Sequence, residues 1–298
     1  MIKIVQAATS LGSFNKGSEK APATILDTTL RSGLKKNMFE FSELEPVTAI
    51  EETNNSNKKL RNLDSLISFN KTLFEQITSS ADNKDIVLTL GGDHSISIGT
   101  LFASKARNPQ TCIVYIDAHP DCSNPIDSPT GNIHGMPLST VLGDALWVDF
   151  ELPKYQYNEV FIIGAKDIDE AEYRYMQAHN ITCYTIDDII RHGIAKIVDE
   201  IRQKVASRPL HISLDIDSID SSEAPGTGIV NRGGLSYREV SYLCRELSKE
   251  DIIALDCVEV NPERDINNKT VLLSGDLCVS LLGGDWSPYT QYLEKDTN

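Results

Sequence analysis

Apolar residues in this chain come mainly in short unbroken runs. IKIVQAA (2–8), DIVLTL (85–90), CIVYID (112–117), EVFIIG (159–164), ITCYTI (181–186), HISLDI (211–216) and IIALDCVEV (252–260) each have the length of a buried strand. EPVTAI (45–50) reads as an eighth, edge-like strand. Between them the period changes. Leu63, Leu66, Ile67, Leu73, Phe74 and Ile77 recur at the three- and four-residue steps of one helix face. APATILDTTLRSGL (21–34) carries Pro22 near a helix start and Gly33 near its end. Continuous apolar strands separated by helices predict a mainly parallel eight-stranded sheet covered on both faces, a three-layer α/β/α fold. Ligands of such sheets bind beyond the carboxyl ends of the strands. The polar segment EETNNSNKK (51–59) is the most linker-like, but it runs straight into a helical pattern. It therefore reads as a loop, and the chain as a single domain over residues 1–298.

Composition narrows the partners. A hydrophobic content of 40% with 24% charged residues is ordinary for a soluble protein. The charge is not ordinary, since 28 basic residues against 43 acidic ones leave −15. An acidic surface repels phosphate backbones and anionic membranes, which argues against nucleic acid and membrane partners. It favours a small cationic substrate, although acidity speaks first to solubility. The N-terminus MIKIVQAATS lacks a signal pattern, and no apolar run reaches membrane length. Six cysteines form no C-x-x-C pair, and several sit in strand-like runs as small buried hydrophobes. A reducing, cytoplasmic setting is expected.

The chemistry gathers at strand ends. LHISLDIDSID (210–220) reads as a strand delivering Asp215 and Asp217, which alternation would place on one face. Two such charges about 4 Å apart cost roughly 4 kcal/mol at an effective dielectric near 20, so the pair calls for a cation. GGDHS places His94 after the third strand, where Gly91 and Gly92 permit close backbone approach. DAHPD places Asp117, His119 and Asp121 at i, i+2 and i+4 of an extended segment. Each motif alone has a plainer meaning. Asp-x-Asp is often a cap, a buried histidine is often a core residue, and GGDHS could be a turn with Asp93 or Ser95 capping a helix. Their conjunction at ends that a parallel sheet brings together is what points to a metal centre. His179, His192 and His211 have no evident partners and read as structural.

GGDHS, DAHPD and SLDIDSID together resemble the ureohydrolases, the binuclear manganese enzymes that include arginase and agmatinase, from the first strand through EVNP at 259–262. The resemblance implies two Mn²⁺ per chain. His94, Asp117, Asp121 and Asp215 would hold one ion, and Asp117, His119, Asp215 and Asp217 the other, with Asp117 and Asp215 bridging. An oxygen-rich set with two imidazoles suits Mn²⁺ better than a thiolate or three-histidine zinc site. Two ions about 3.5–4 Å apart can hold a bridging hydroxide at neutral pH. That hydroxide would attack a guanidinium carbon, releasing an amine and urea. Asp121 would help move the proton. Glu259, in LDCVEVNP, would pair with the guanidinium in the bidentate manner carboxylates allow, a strand-end salt bridge being its plainer role.

The segment DAHPDCSNPIDSPTGNIHGMP is most similar to arginases. His134 then matches a proton-shuttling histidine, a role that suits its pKa. IGAKDIDEAE (163–172) resembles the loop that reads the substrate α-amino group, with Asp169 the main contact and Glu172 in support. Asn132 is retained as an α-carboxylate contact, but Ser123 and Thr130 stand where asparagine and serine are usual, and Ile229 where threonine is common. The expected activity is hydrolysis of L-arginine to L-ornithine and urea in a homo-oligomer, a trimer or hexamer by resemblance. Ser123 and Thr130 leave agmatine, a guanidino acid or formiminoglutamate open as substrates. A metal-binding scaffold without turnover is the rival from another class. Similarity to zinc deacetylases would leave the second histidine-bearing site unexplained.

Overall fold

The computed structural model describes residues 1–50, 60–145 and 153–285; the linker-like segment 51–59 lies outside the described residues. Among the described residues, nine strands form one sheet: β1 (Ile2–Ala8), β2 (Phe41–Glu43), β3 (Val47–Thr48), β4 (Ile86–Gly91), β5 (Cys112–Ile116), β6 (Val160–Ala165), β7 (Thr182–Thr185), β8 (Leu210–Asp215) and β9 (Ile252–Val258). Their order is β2-β1-β4-β9-β8-β5-β6-β7, with β3 also on β1. Every pairing is parallel. The eight expected strands are all present, and β2 is the addition. It pairs with Ile2–Ile4 while β3 pairs with Ala7 and Ala8, so the two short segments share one edge end to end.

Parallel strands need crossovers, and the helices supply both outer layers. On one face, Cys112, Val114 and Ile116 of β5 pack with Ile25 of α1 (Ala21–Ile25), Ile197 and Ile201 of α2 (Ile194–Val205) and Leu243 of α3 (Tyr237–Leu247). On the other, the alternate residues Ile113 and Tyr115 pack with Leu66 of α4 (Leu63–Ser80) and Leu101 of α5 (Ser97–Arg107). The helix expected from Pro22 is there, but it passes through a π-helical turn at Leu26–Leu30 and runs on to Lys36, beyond Gly33. Asn70 of α4 accepts from Gly99 N of α5 at 2.8 Å. A Cβ on Gly99 would meet Asn70 O at 2.7 Å, so this close helix packing requires glycine. No described helix is long and apolar enough to cross a membrane.

Strand order positions the site. β4, β9, β8 and β5 are neighbours, although the chain reaches β5 directly after β4. The two latest strands thus lie between two early ones, and the four carboxyl ends open at a reversal of strand order, where α/β sheets place ligands.

Candidate metal centre and substrate pocket

Three of these strands deliver their polar residues by the same local device. At the end of β5, Asp117 Oδ1 accepts from His119 N at 2.7 Å. At the end of β8, Asp215 Oδ1 accepts from Asp217 N at 2.7 Å. After β4, Asp93 Oδ1 accepts from Ser95 N at 2.9 Å, so Asp93 does cap the turn while His94 points elsewhere. Each aspartate ties one oxygen to the backbone two residues on, as Asx turns do. This corrects the expected geometry. Asp217 lies in a 3₁₀ turn, Ile216–Ser218, beyond the end of β8, so strand alternation does not bring it beside Asp215. Asp121 has φ +49°, so the DAHPD segment is not extended throughout.

The carboxylates converge on the two imidazoles. His94 Nδ1 lies 3.0 Å from Asp117 Oδ2, 3.1 Å from Asp121 Oδ2 and 3.0 Å from Asp215 Oδ2. His119 Nδ1 lies 3.2 Å from Asp217 Oδ2 and 3.4 Å from Asp117 Oδ1. Two groups capable of holding a metal result, His94/Asp117/Asp215 and Asp117/His119/Asp217, and Asp117 belongs to both. The cluster is buried except for a partly exposed His119, with Asp117 0% and Asp217 3% exposed. Burial, then the charges of Asp121 and Asp217, raise the Asp117 carboxyl to about 6. Burial, then Asp217 and Asp117, push Asp215 well above its ordinary value. Burial opposes a charge on His94, but the carboxylates of Asp117, Asp121 and Asp215 gathered around its Nδ1 outweigh it and raise the imidazole. Three buried atoms, His94 Nδ1, Asp117 Oδ2 and Asp217 Oδ1, have no hydrogen-bond partner. Unpaired buried charge is costly; carboxylate oxygens only accept, and so does Nδ1 of a neutral imidazole whose proton is on Nε2. A cation is the partner that fits.

A polar stripe beneath the cluster escaped the sequence reading. His211, Ser213 and Asp215 alternate along β8, and Ser213 is in register with Asp256 of β9. His94 Nε2 meets Ser213 Oγ at 2.8 Å, Ser213 Oγ meets Ser97 Oγ at 3.3 Å, and Ser97 Oγ donates to Asp256 Oδ2 at 2.9 Å. A carboxylate only accepts. The chain is satisfied when Ser213 donates to Ser97 and accepts from His94 Nε2–H, leaving Nδ1 free towards the cluster. Second contacts of this kind fix a ligating ring in the required tautomer. His211 does have partners, Asp256 Oδ2 at 3.0 Å and Ser104 Oγ at 2.8 Å.

All expected site residues except His94 and Asp117 line one cavity, together with Ser128, Pro129, Gly135 and Ile229. Glu259 enters from the end of β9 in a left-handed conformation, φ +62°. Its Oε1 accepts from His94 N at 2.9 Å and faces His134 Nδ1 at 3.0 Å. Burial disfavours a charged His134, but its hydrogen bond to Glu259 and that carboxylate's charge prevail and raise it to about 9. Asp169 and Glu172 form a capping box at the start of α6 (Glu170–His179), with Asp169 Oδ1 accepting from Glu172 N at 2.8 Å. Burial, then Asp121 and Asp169, raise Glu172 to about 8. Ser123 Oγ turns towards Glu172 Oε1 at 3.4 Å, and Thr130 Oγ1 accepts from Asn132 N at 3.2 Å. Asn132 Oδ1 is buried without a partner.

Comparison with known proteins agrees in sequence and in fold. The Arginase family profile matches residues 1–283. An arginase of Staphylococcus aureus (strain MSSA476) is 35% identical over 292 residues, covering 95% of each chain. The crystal structure of arginase from Bacillus subtilis superposes with a TM-score of 0.90 at 32% identity, over 96% of this chain and 99% of that one. Arginase from Entamoeba histolytica, solved in complex with L-ornithine, superposes with a TM-score of 0.87 at 27% identity, over 95% and 98%.

Proposed function

The chain belongs to the arginase family, and from that premise we propose that it hydrolyses L-arginine to L-ornithine and urea with the help of two Mn²⁺ ions. The observation that carries this reading is the pair of His/Asp groups sharing Asp117, at a cavity that Glu259 also lines. His94, Asp117, Asp121 and Asp215 would hold one ion; Asp117, His119, Asp215 and Asp217 would hold the other. The donor set, four carboxylates and two imidazoles, suits Mn²⁺. When bound, such a pair supplies Lewis acidity that makes hydroxide available near neutral pH.

The chain's own residues orient the substrate and move its protons. Glu259 faces the cavity as the counter-charge for a guanidinium, and carboxylate–guanidinium pairing is both strong and directional. Its Oε1 is already engaged by His94 N and His134, so an arriving guanidinium takes Oε2 or displaces the imidazole. A second cation beside His134, and the loss of its carboxylate partner, both favour release of the imidazole proton. His134 is thereby suited to protonate the leaving amine. Asp121 is placed to pass on the proton from water. Asp169, with Glu172, would take the α-ammonium, and Thr130 and Asn132 the α-carboxylate. Ser123, turned to Glu172, sits at the ammonium side. Cysteines without disulfide partners support a cytoplasmic setting, and a homo-oligomer is part of the same proposal.

Substrate analogues test the two ends separately. Agmatine lacks the α-carboxylate, and 5-guanidinopentanoate lacks the α-amine. With Mn²⁺-loaded protein, urea release from L-arginine should exceed that from either by on the order of 10²-fold or more in kcat/KM, as expected for a site with polar groups left unpaired by the analogue. Equal turnover of agmatine and arginine would remove the α-amino acid from the account.

A further inference from the structure

Two residues before Asp117 on β5, Tyr115 is fully buried. Its hydroxyl donates to Asp121 Oδ2 at 2.9 Å. Its ring lies flat against the His94 imidazole, with centroids 4.5 Å apart and planes 2° from parallel. One side chain therefore touches both residues that the two-cation reading gives to the first ion alone. We propose that Tyr115 is a positioning residue for the hydrolysis: its phenol fixes which oxygen of Asp121 faces His94 and the first cation, leaving the other for the pocket.

The need for such a group follows from the geometry of Asp121. The terminal torsion of an aspartate is broad and two-fold, so its two oxygens exchange readily unless something distinguishes them. The backbone of Asp121 is in the left-handed region, which side chains rarely adopt and which persists only where the surroundings hold it. Asp121 Oδ2 faces His94 Nδ1 at 3.1 Å and receives the phenol proton. Asp121 Oδ1 lies 3.9 Å from where a Cβ on Gly135 would stand, and Gly135 lines the cavity. An ionised carboxylate has no proton to give, so the phenol must donate and cannot reverse the bond. Oδ2 is thus committed to the metal side. Oδ1 is left where a proton passing between water and the leaving amine would be handled. The stacked ring performs a second task, holding the imidazole plane while Ser213 fixes its far nitrogen.

Tyr115→Phe keeps the ring and removes only the oxygen. This proposal rests on the two-cation reading, and its test is chosen to separate the two. Calorimetric titration of the metal-free full chain with Mn²⁺ should show one binding step weakened about 10- to 100-fold and the other unchanged, the scale on which ligand-supporting contacts act. At saturating Mn²⁺, kcat for arginine should fall on the order of 10-fold with KM unchanged within about two-fold, since the contact acts on the reacting centre and not on the substrate's ends. In an Asp121→Asn background the same substitution should change metal affinity little, because the two side chains act as one unit. Unchanged binding and kcat in Tyr115→Phe would overturn the proposal, as would equal weakening of both steps or effects that simply add to those of Asp121→Asn. Wild-type protein that binds two ions but releases no urea would defeat the functional reading, while the binding comparison would still decide the role of Tyr115.

Discussion

Replacing Asp215 with alanine is expected to lower arginine hydrolysis by on the order of 10²–10³-fold or more, the cost of removing a key electrostatic group from a reacting centre. The same change should make the metal-free protein more stable. Both outcomes follow from its position. Asp215 Oδ2 lies 3.0 Å from His94 Nδ1, and Oδ1 accepts from Asp217 N at 2.7 Å. The substitution thus removes one ligand and the anchor of the turn that presents another. Yet Asp217 and Asp117 repel Asp215 in a site only 2% exposed to water. Without metal ions the raised His94 imidazole offsets that repulsion only in part, and deleting one carboxylate relieves it. Wild-type protein should gain melting temperature on adding Mn²⁺, because binding to the folded state alone stabilises it. The variant should start higher and gain little. Thermal melts with and without Mn²⁺, with metal content measured in parallel, check this. Two tightly held ions and full activity in Asp215→Ala would contradict it.

Glu259→Gln should act differently, costing about 2–5 kcal/mol in kcat/KM, the scale for losing one member of a buried charge pair, while metal content stays at the wild-type level. Glutamine keeps an oxygen to accept from His94 N and loses the charge that holds a guanidinium. The charge also holds His134 near 9, by a hydrogen bond that overcomes burial. Without it the imidazole pKa falls, so at a given pH above the new value less of it carries the proton it is to donate. Steady-state kinetics on arginine with metal analysis of the same sample read both effects. Loss of manganese in this variant would place Glu259 among the ligands instead.

Much of this was legible because parallel strands, buried on both faces, write themselves as unbroken apolar runs. β2 was not legible, since Phe41–Glu43 is three residues with one apolar member and owes its strand form to the free edge of β1. The metal-ligand types could be read from their spacing, but the way they meet could not. Alternation would set Asp215 and Asp217 side by side on a strand that in fact ends at Asp215, and the turn that follows does that work. The supporting residues were hidden inside the apolar runs. Tyr115 precedes Asp117 by two positions, and Ser213 precedes Asp215 by two, so the period of a strand did point to both. Asp256 and His211 could not be joined to them without the β8–β9 register and the placement of Ser97 on α5.

On the proposed mechanism, two cations held by strand ends that share Asp117 are both needed to hydrolyse arginine. Metal-free protein titrated with Mn²⁺, with bound metal and urea release from L-arginine followed together, tests it most directly. Activity should remain low through the first equivalent per chain, rise with the second and then level off, as for a two-metal site. Full activity at one equivalent, or none with two bound, would contradict the account.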